Sequence, residues 1–180
     1  LHDIVKAGKA RYIGASSMYA WQFAKAQEVA RANGWTRFIS MQNQLNLLYR
    51  EEEREMLPMC ADQGVGVIPW SPLARGRLTR PFGETTVRSE TDVVGKALYK
   101  AEDAADRAVI DALADLSVFR CLSILSLGLA WHFTKPQVAA PIIGATKPQH
   151  IADAVASLDI VLSADDIAAL EAPYRPKFPT

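Results

Sequence analysis

The feature that most constrains this chain is the repetition of a short apolar run followed by a helical pattern. The runs are ARYIGAS (10–16), RFISMQN (37–43), GVGVIPW (64–70) and AAPIIGAT (139–146). Three of them are mainly apolar and do not alternate with polar residues. That suits strands buried on both faces of a parallel sheet. RFISMQN is the more ambiguous run. The run centres fall near residues 12, 40, 68 and 142. The first two intervals are about 28 residues each, the size of one βαβ unit. The third is about 74, an excess of about 46, and includes a loop at 75–100 rich in Arg, Thr, Gly and Pro. A connector of that length is usually functional or disordered.

The helical patterns lie between and after the runs. At 19–33, Phe23, Ala26, Val29 and Ala30 share one side, and Asn33-Gly34 ends the pattern. At 51–63 the pattern opens on acidic residues and stops at Gly64. Pro58 lies inside it, where a kink is expected. Helices are also expected at 103–116, 122–133 and 148–158. A last one starts at Ser163, with Asp166 three residues on in a near capping box.

Four consecutive βα units suit either an open doubly wound sheet or a (β/α)8 barrel. No Gly-x-Gly-x-x-Gly joins a strand to a helix, so the dinucleotide signature of the doubly wound fold is absent. A barrel needs eight strands and about 250 residues. The 180 residues here supply four. The chain begins with Leu, which reads as a cut in a longer chain.

The charge balance is zero, with 20 basic and 20 acidic residues. This argues against nucleic-acid binding, so any basic patch is local. Cys60 and Cys121 suggest neither a disulfide framework nor a zinc site, and a reduced, cytoplasmic setting is the default. His2, His132 and His150 share no metal-ligand spacing. The apolar segment 116–133 is interrupted by Arg120 and is too short beyond it to span a membrane. A helix apolar nearly all round should be covered by protein on most sides.

In parallel α/β proteins, ligands bind at the C-terminal ends of the strands. Those ends carry Ser16 and Ser17, then Gln42 and Asn43, then Trp70, Ser71 and an arginine-bearing loop, then Gly144, Thr146 and Lys147. Ser and Gln pair with a carboxamide, and Trp offers a flat face. Arg, Lys and a helix start bind phosphates. Together they describe a pocket for a nucleotide bearing an aromatic amide. Each residue also has a plainer role. Trp70 could be core, Ser16 a helix cap, Gln42 a partner for buried backbone, and Arg75 to Arg80 a solvated loop.

The ordered segments GKARYIGASS, SMQNQLNLLYR, GVGVIPWSPLARGRL and PIIGATKPQHIADAV resemble the C-terminal half of an aldo-keto reductase. They look most like the bacterial branch that also resembles potassium-channel β subunits. The resemblance implies the last four βα units and a C-terminal helix of one barrel domain spanning 1–180, with 75–100 as its long cofactor-side loop. It implies NADPH-dependent reduction of aldehydes or ketones to alcohols. Ser16, Ser17 and Gln42 would hold the nicotinamide carboxamide, and Trp70 would stack on the ring. Ser71, Leu73 and Arg75 would wrap the pyrophosphate, with Arg80 standing in for a Lys common in relatives. Gly144, Thr146, Lys147, His150 and Asp153 would hold the adenosine 2′-phosphate and adenine, Lys147 favouring NADPH over NADH. Ala154 stands where many relatives carry Asn.

The family's catalytic Asp, Tyr, Lys and His belong to strands outside these four. Tyr12, Tyr49 and Lys96 are in no matching motif, so no catalytic residue is assigned. A truncated, cofactor-binding half is expected to be inactive alone. The open sheet edges would be covered by a missing N-terminal half-barrel or another copy of the chain. The alternative is a non-catalytic nucleotide-binding or self-assembling half-barrel module. The expected partners are a small-molecule carbonyl substrate and neither nucleic acid nor membrane.

Overall fold

The computed structural model of the chain describes residues 1–86, 91–99 (backbone only at 96 and 97) and 104–178. After a short helix α1 (His2–Lys6), three strands form a parallel sheet: β1 (Gly14–Ser16), β2 (Ser40–Gln42) and β3 (Gly66–Val67), in that spatial order. In register, Ser16 lies beside Gln42 and Met41 beside Val67. One apolar side chain per strand fixes this arrangement. Ala15, Met41 and Val67 are buried against Phe23 of α2 (Ala20–Ala32) and Met56 and Cys60 of α3 (Met56–Gln63). The expected burial of both sheet faces is met on this face alone. The opposite face carries Gly14 and Ser16 exposed and Ser40 and Gln42 half-buried. At Gly14 the strands leave no room: an added Cβ would sit 2.3 Å from Ser40 Oγ.

The run at 139–146 does not form the fourth strand. Val138, just before it, joins β3 through a parallel bridge to Val67. Ala139 donates to Val67 O (2.8 Å) and Ile142 to Pro69 O (2.8 Å). Pro141 between them has no N–H, which interrupts a ladder. The chain still runs alongside β3 and delivers 142–146 to the same end of the sheet.

The helices depart from expectation in instructive ways. In α2, Val29 is 44% exposed, and the buried face is Phe23, Gln27 and Ala30. Gln27 earns its place by bracketing Phe38, accepting from its N–H (3.0 Å) and donating to its carbonyl (2.9 Å). The 51–63 pattern splits into a 3₁₀ turn at Glu51–Glu53 and α3. The break precedes Pro58, which sits in the first turn of α3, where a missing N–H costs nothing. Gly64 ends α3 at φ +64°.

The long insertion contributes α4 (Val93–Leu98), α5 (Ala104–Arg120) and α6 (Ile124–Ala130), the last followed by a 3₁₀ turn at Trp131–Thr134. The helix start expected at Asp103 lies outside the described residues, as do 87–90 and Lys100 of the 75–100 loop. Ser123 caps α6 by accepting from Ser126 N–H at 3.0 Å. Helices α7 (Pro148–Ala156) and α8 (Ala164–Glu171) close the chain, and Ser163 and Asp166 form the expected box.

Leu45, Leu48, Leu78, Leu113, Leu127, Trp131 and Leu170 form a second core among α5, α6 and α8. Burying each such side chain contributes about 1.5–3 kcal/mol. The apolar segment is therefore covered from Leu127 to His132. It is not covered at Val118 and Phe119, exposed at 79% and 80%. His132 is fully buried, its ring nitrogens 3.0 Å from Gly128 O and 2.9 Å from Leu45 O. No described helix is long and apolar enough to cross a membrane.

Candidate functional site

The strand ends open onto one side of the sheet, and the turn after β3 dominates it. Ser71, Ala74 and Arg75 all adopt positive φ (52°, 47° and 55°), with Gly76 at 93°. Three non-glycine residues in the left-handed region within five positions is a strained arrangement that needs outside support. Asn46, fully buried, supplies it. Its Nδ2 donates to Ser71 O and to Tyr99 Oη, both at 2.9 Å, and its Oδ1 accepts from Leu48 N–H. Gln44 Nε2 also donates to Tyr99 Oη at 2.9 Å. Burial raises the Tyr99 phenol above its ordinary value, so it stays a neutral acceptor.

Two groups of expected site residues emerge. Ser16, Ser17, Gln42 and Trp70 cluster at the ends of the three strands. Ser16 Oγ donates to Gln42 O (3.1 Å), and Trp70 Nε1 donates to Ser17 Oγ (3.1 Å). The Trp70 bond fixes a half-buried indole beside two exposed hydroxyls. Ser16 is not the helix cap, since α2 starts from Tyr19. The second group lines a cavity of about 490 Å³ and includes Ser71, Leu73, Arg75, Arg80, Gly144 and His150.

The arginines differ in what they do. Arg75 makes a two-toothed ion pair with Asp92 (2.6 and 2.7 Å), whose bonds raise the guanidinium further. Asp92 also caps α4 through Gly95 N–H, so the pair ties the long loop to the turn. Arg80 holds Glu84 O at 2.9 Å and faces the cavity. Arg77 is structural: it donates to Tyr99 O at 3.0 Å and lies 5.4 Å over that ring.

Thr146, Lys147 and Asp153 are not among the cavity-lining residues. Thr146 N–H donates to His150 Nδ1 at 3.3 Å, Lys147 is the exposed N-cap of α7, and Asp153 accepts from Gln149 on the helix surface. The lining also contains Ala154 and residues that the motif pattern passed over, among them Thr79, Leu125 and Leu129. Helical spacing was their available signal: Leu125 and Leu129 stand four apart on α6, as His150 and Ala154 do on α7. Asn46 and Tyr99 were missed because their role appears only through tertiary contact.

Among the described residues, no cluster of His, Cys, Asp or Glu could hold a metal ion. Cys60 is no nucleophile, its thiol pushed up to about 11 by burial and by Glu52. The arrangement suits binding: a fixed indole and hydroxyls on one side, and a cationic turn facing an apolar wall on the other. Both groups lie at the carboxyl ends of the parallel strands.

The chain belongs to the Aldo/keto reductase family, whose model matches residues 1–175. It is 48% identical over 179 residues to versiconal hemiacetal acetate reductase of Aspergillus parasiticus, covering 98% of this chain and 52% of that protein. It is 44% identical over 178 residues to an aldo-keto reductase of Fusarium vanettenii (98% and 48%). An aldo-keto reductase of Metarhizium robertsii is 43% identical over 179 residues (98% and 48%). The chain thus spans about half the length of the curated relatives it matches. The family has the (β/α)8 barrel architecture.

Proposed function

We propose that this chain is the cofactor-holding half of an NADPH-dependent reductase that converts aldehydes or ketones to alcohols. The observation that carries this reading is the cavity at the strand ends, with Arg75 and Arg80 on one side and Gly144 and His150 of the α7 entrance on another. A cationic turn beside a helix start is the chemistry a dinucleotide phosphate requires. The neighbouring Trp70, Ser16, Ser17 and Gln42 fit a flat ring bearing a carboxamide. Lys147 at the α7 N-cap favours a 2′-phosphate. The four segments stand as the last four units of the barrel. The reading of a branch akin to potassium-channel β subunits rests on the motifs; the relatives above are fungal.

In the completed protein, the bound nicotinamide supplies a hydride to the substrate carbonyl. The residues here orient and shield. Ser17 fixes the edge of Trp70, so the indole presents one face. The strained turn, braced by Asn46, holds Ser71 and Arg75 toward the phosphates. The free thiols of Cys60 and Cys121 accord with a cytoplasmic setting.

The proton donor comes from the preceding half-barrel, which also covers the two open sides. On the β1 side Leu1, Ile4, Val29 and Trp35 are exposed. On the α7 side Ile142, Ile151, Val155 and Leu158 are exposed. The test is NADPH-dependent reduction of a simple aromatic aldehyde. The 180-residue chain alone should show none, and the chain joined to a family N-terminal half-barrel should show turnover lost on Trp70→Ala. Turnover by the chain alone, abolished by a substitution within it, would sink the division of labour.

A further inference from the structure

Residues 174–178, after α8, form neither helix nor strand, yet polar contacts hold them in place. Glu171, the last residue of α8, accepts from Arg50 Nη2 (2.7 Å), Lys135 Nζ (2.7 Å) and Trp131 Nε1 (2.8 Å). Tyr174 Oη accepts Arg50 N–H (3.0 Å) and donates to Glu51 Oε1 (2.6 Å). Lys177 N–H donates to the same oxygen (2.7 Å), and Lys177 Nζ pairs with Asp106 of α5. Glu51 is 7% exposed, so its oxygen depends on these donors. Burial raises the Tyr174 phenol, which keeps it a donor. The tail thus ties the loop after β2 to α5. That loop also carries the support of the strained turn. Just before Arg50, Asn46 and Tyr49 exchange two backbone hydrogen bonds (3.1 and 2.9 Å). Asn46 in turn holds Ser71 O. A continuous run of hydrogen bonds leads from the tail to the turn.

We propose that Tyr174 and Glu51 are positioning residues: the tail closes as a strap on Glu51, and that closure sets the turn at 71–76 facing the cavity. Neither side chain lines the cavity, so both act through Asn46. Positive φ at Ser71, Ala74 and Arg75 persists only while the surroundings enforce it. An irregular tail held by few contacts opens more readily than a packed core. Opening it leaves Arg50 N–H and the Glu51 carboxylate without their partners and frees the 46–49 turn to shift. The consequence for ligand binding rests on the nucleotide reading above.

Amide hydrogen exchange of the full chain, resolved by residue with NMR, tests the strap without any ligand. Glu51→Ala removes the oxygen that Tyr174 and Lys177 share. Ala74 and Gly76, whose N–H groups bond Ser71 O and Leu73 O, should then exchange about tenfold faster, the effect of one lost hydrogen bond. Gly66 and Ile68, bonded across the sheet to Ile39 O and Met41 O, should change less than about threefold. Glu51→Gln keeps an oxygen for both donors and gives up only the pair with Arg54, whose side chain is 59% exposed. It should restore the parent exchange at the turn. Tyr174→Phe removes a single oxygen, should speed the turn alone, and decides the matter if Glu51→Ala does not fold. Turn amides that do not respond, a sheet that speeds up as much as the turn, or Glu51→Gln no better than Glu51→Ala would overturn the strap. Isothermal titration with NADPH follows. Glu51→Ala should bind about tenfold more weakly and Glu51→Gln like the parent. Faster turn exchange with unchanged affinity would overturn the positioning role and leave the nucleotide site standing. No saturable NADPH binding by the parent chain would overturn the nucleotide reading, while the exchange result still judges the strap.

Discussion

Tyr99→Phe removes one oxygen from the bracket that supports the strained turn. Tyr99 is 3% exposed, and its hydroxyl accepts from Gln44 Nε2 and Asn46 Nδ2, each at 2.9 Å. Phenylalanine keeps the ring, its packing and the cation–π contact with Arg77. What changes is that two buried amide donors lose an acceptor. An orphaned buried donor costs about 1–3 kcal/mol. Asn46 retains Ser71 O as a second acceptor, so its share falls at the low end. The expected destabilisation is about 2 kcal/mol, or a Tm lower by roughly 4–8 °C for a domain of this size. Urea unfolding followed by circular dichroism measures it, with Tyr12→Phe as control, since Tyr12 is 65% exposed. A Tyr99→Phe midpoint within about 0.5 kcal/mol of the parent would refute the bracket.

Three further substitutions separate the parts of the account. Gly128→Ala would place a Cβ 3.3 Å from Leu73 Cδ2 and 3.5 Å from Leu78 O. Crowding costs about 1–3 kcal/mol, while helix propensity returns about 1 kcal/mol. The net destabilisation should be at most about 2 kcal/mol, and NADPH affinity should fall as Leu73 is pushed into the cavity. Gly64→Ala meets no atom within 4 Å, so its cost is backbone strain at φ +64°, about 1 kcal/mol in urea unfolding. Glu171 concerns acid stability. Burial pulls its carboxyl up, but bonds from Lys135 and Trp131 and the charges of Lys135 and Arg50 outweigh it and hold the folded value below 4.5. The stabilisation is thus present above pH 4.5 and lost as pH falls through the lowered folded value. Thermal melts should show Glu171→Gln less stable at pH 6, with the gap closing on acidification toward pH 3.

The parts of the fold legible in the sequence were those set by local chemistry. The repeat spacing located β1, β2 and β3, Asn33-Gly34 and Gly64 stopped their helices, and Ser163 with Asp166 started α8. The strand ends brought Ser17 and Trp70 within one hydrogen bond of each other. The illegible parts depended on neighbours. Val29, expected on the buried side, is exposed, and Gln27 is buried because Phe38 needs a backbone partner, which periodicity does not record. Pro141 cancels a strand whose composition suits one. Arg75, Arg77 and Arg80 look alike in sequence, yet Asp92, Tyr99 and Glu84 give them three different employments. The apolar wall of the cavity was hidden in a segment that read as core, since half-buried Leu125 and buried Leu129 differ from their neighbours only in what they face.

The turn after β3 and the entrance of α7 are proposed to bind a phosphorylated dinucleotide. Isothermal titration of the chain with NADPH and then NADH, at low and at raised salt, tests it most directly. NADPH should bind saturably and one-to-one, at least about tenfold tighter than NADH through the 2′-phosphate and weakened by salt. Equal affinities that ignore salt, or no saturable heat with either, would contradict it.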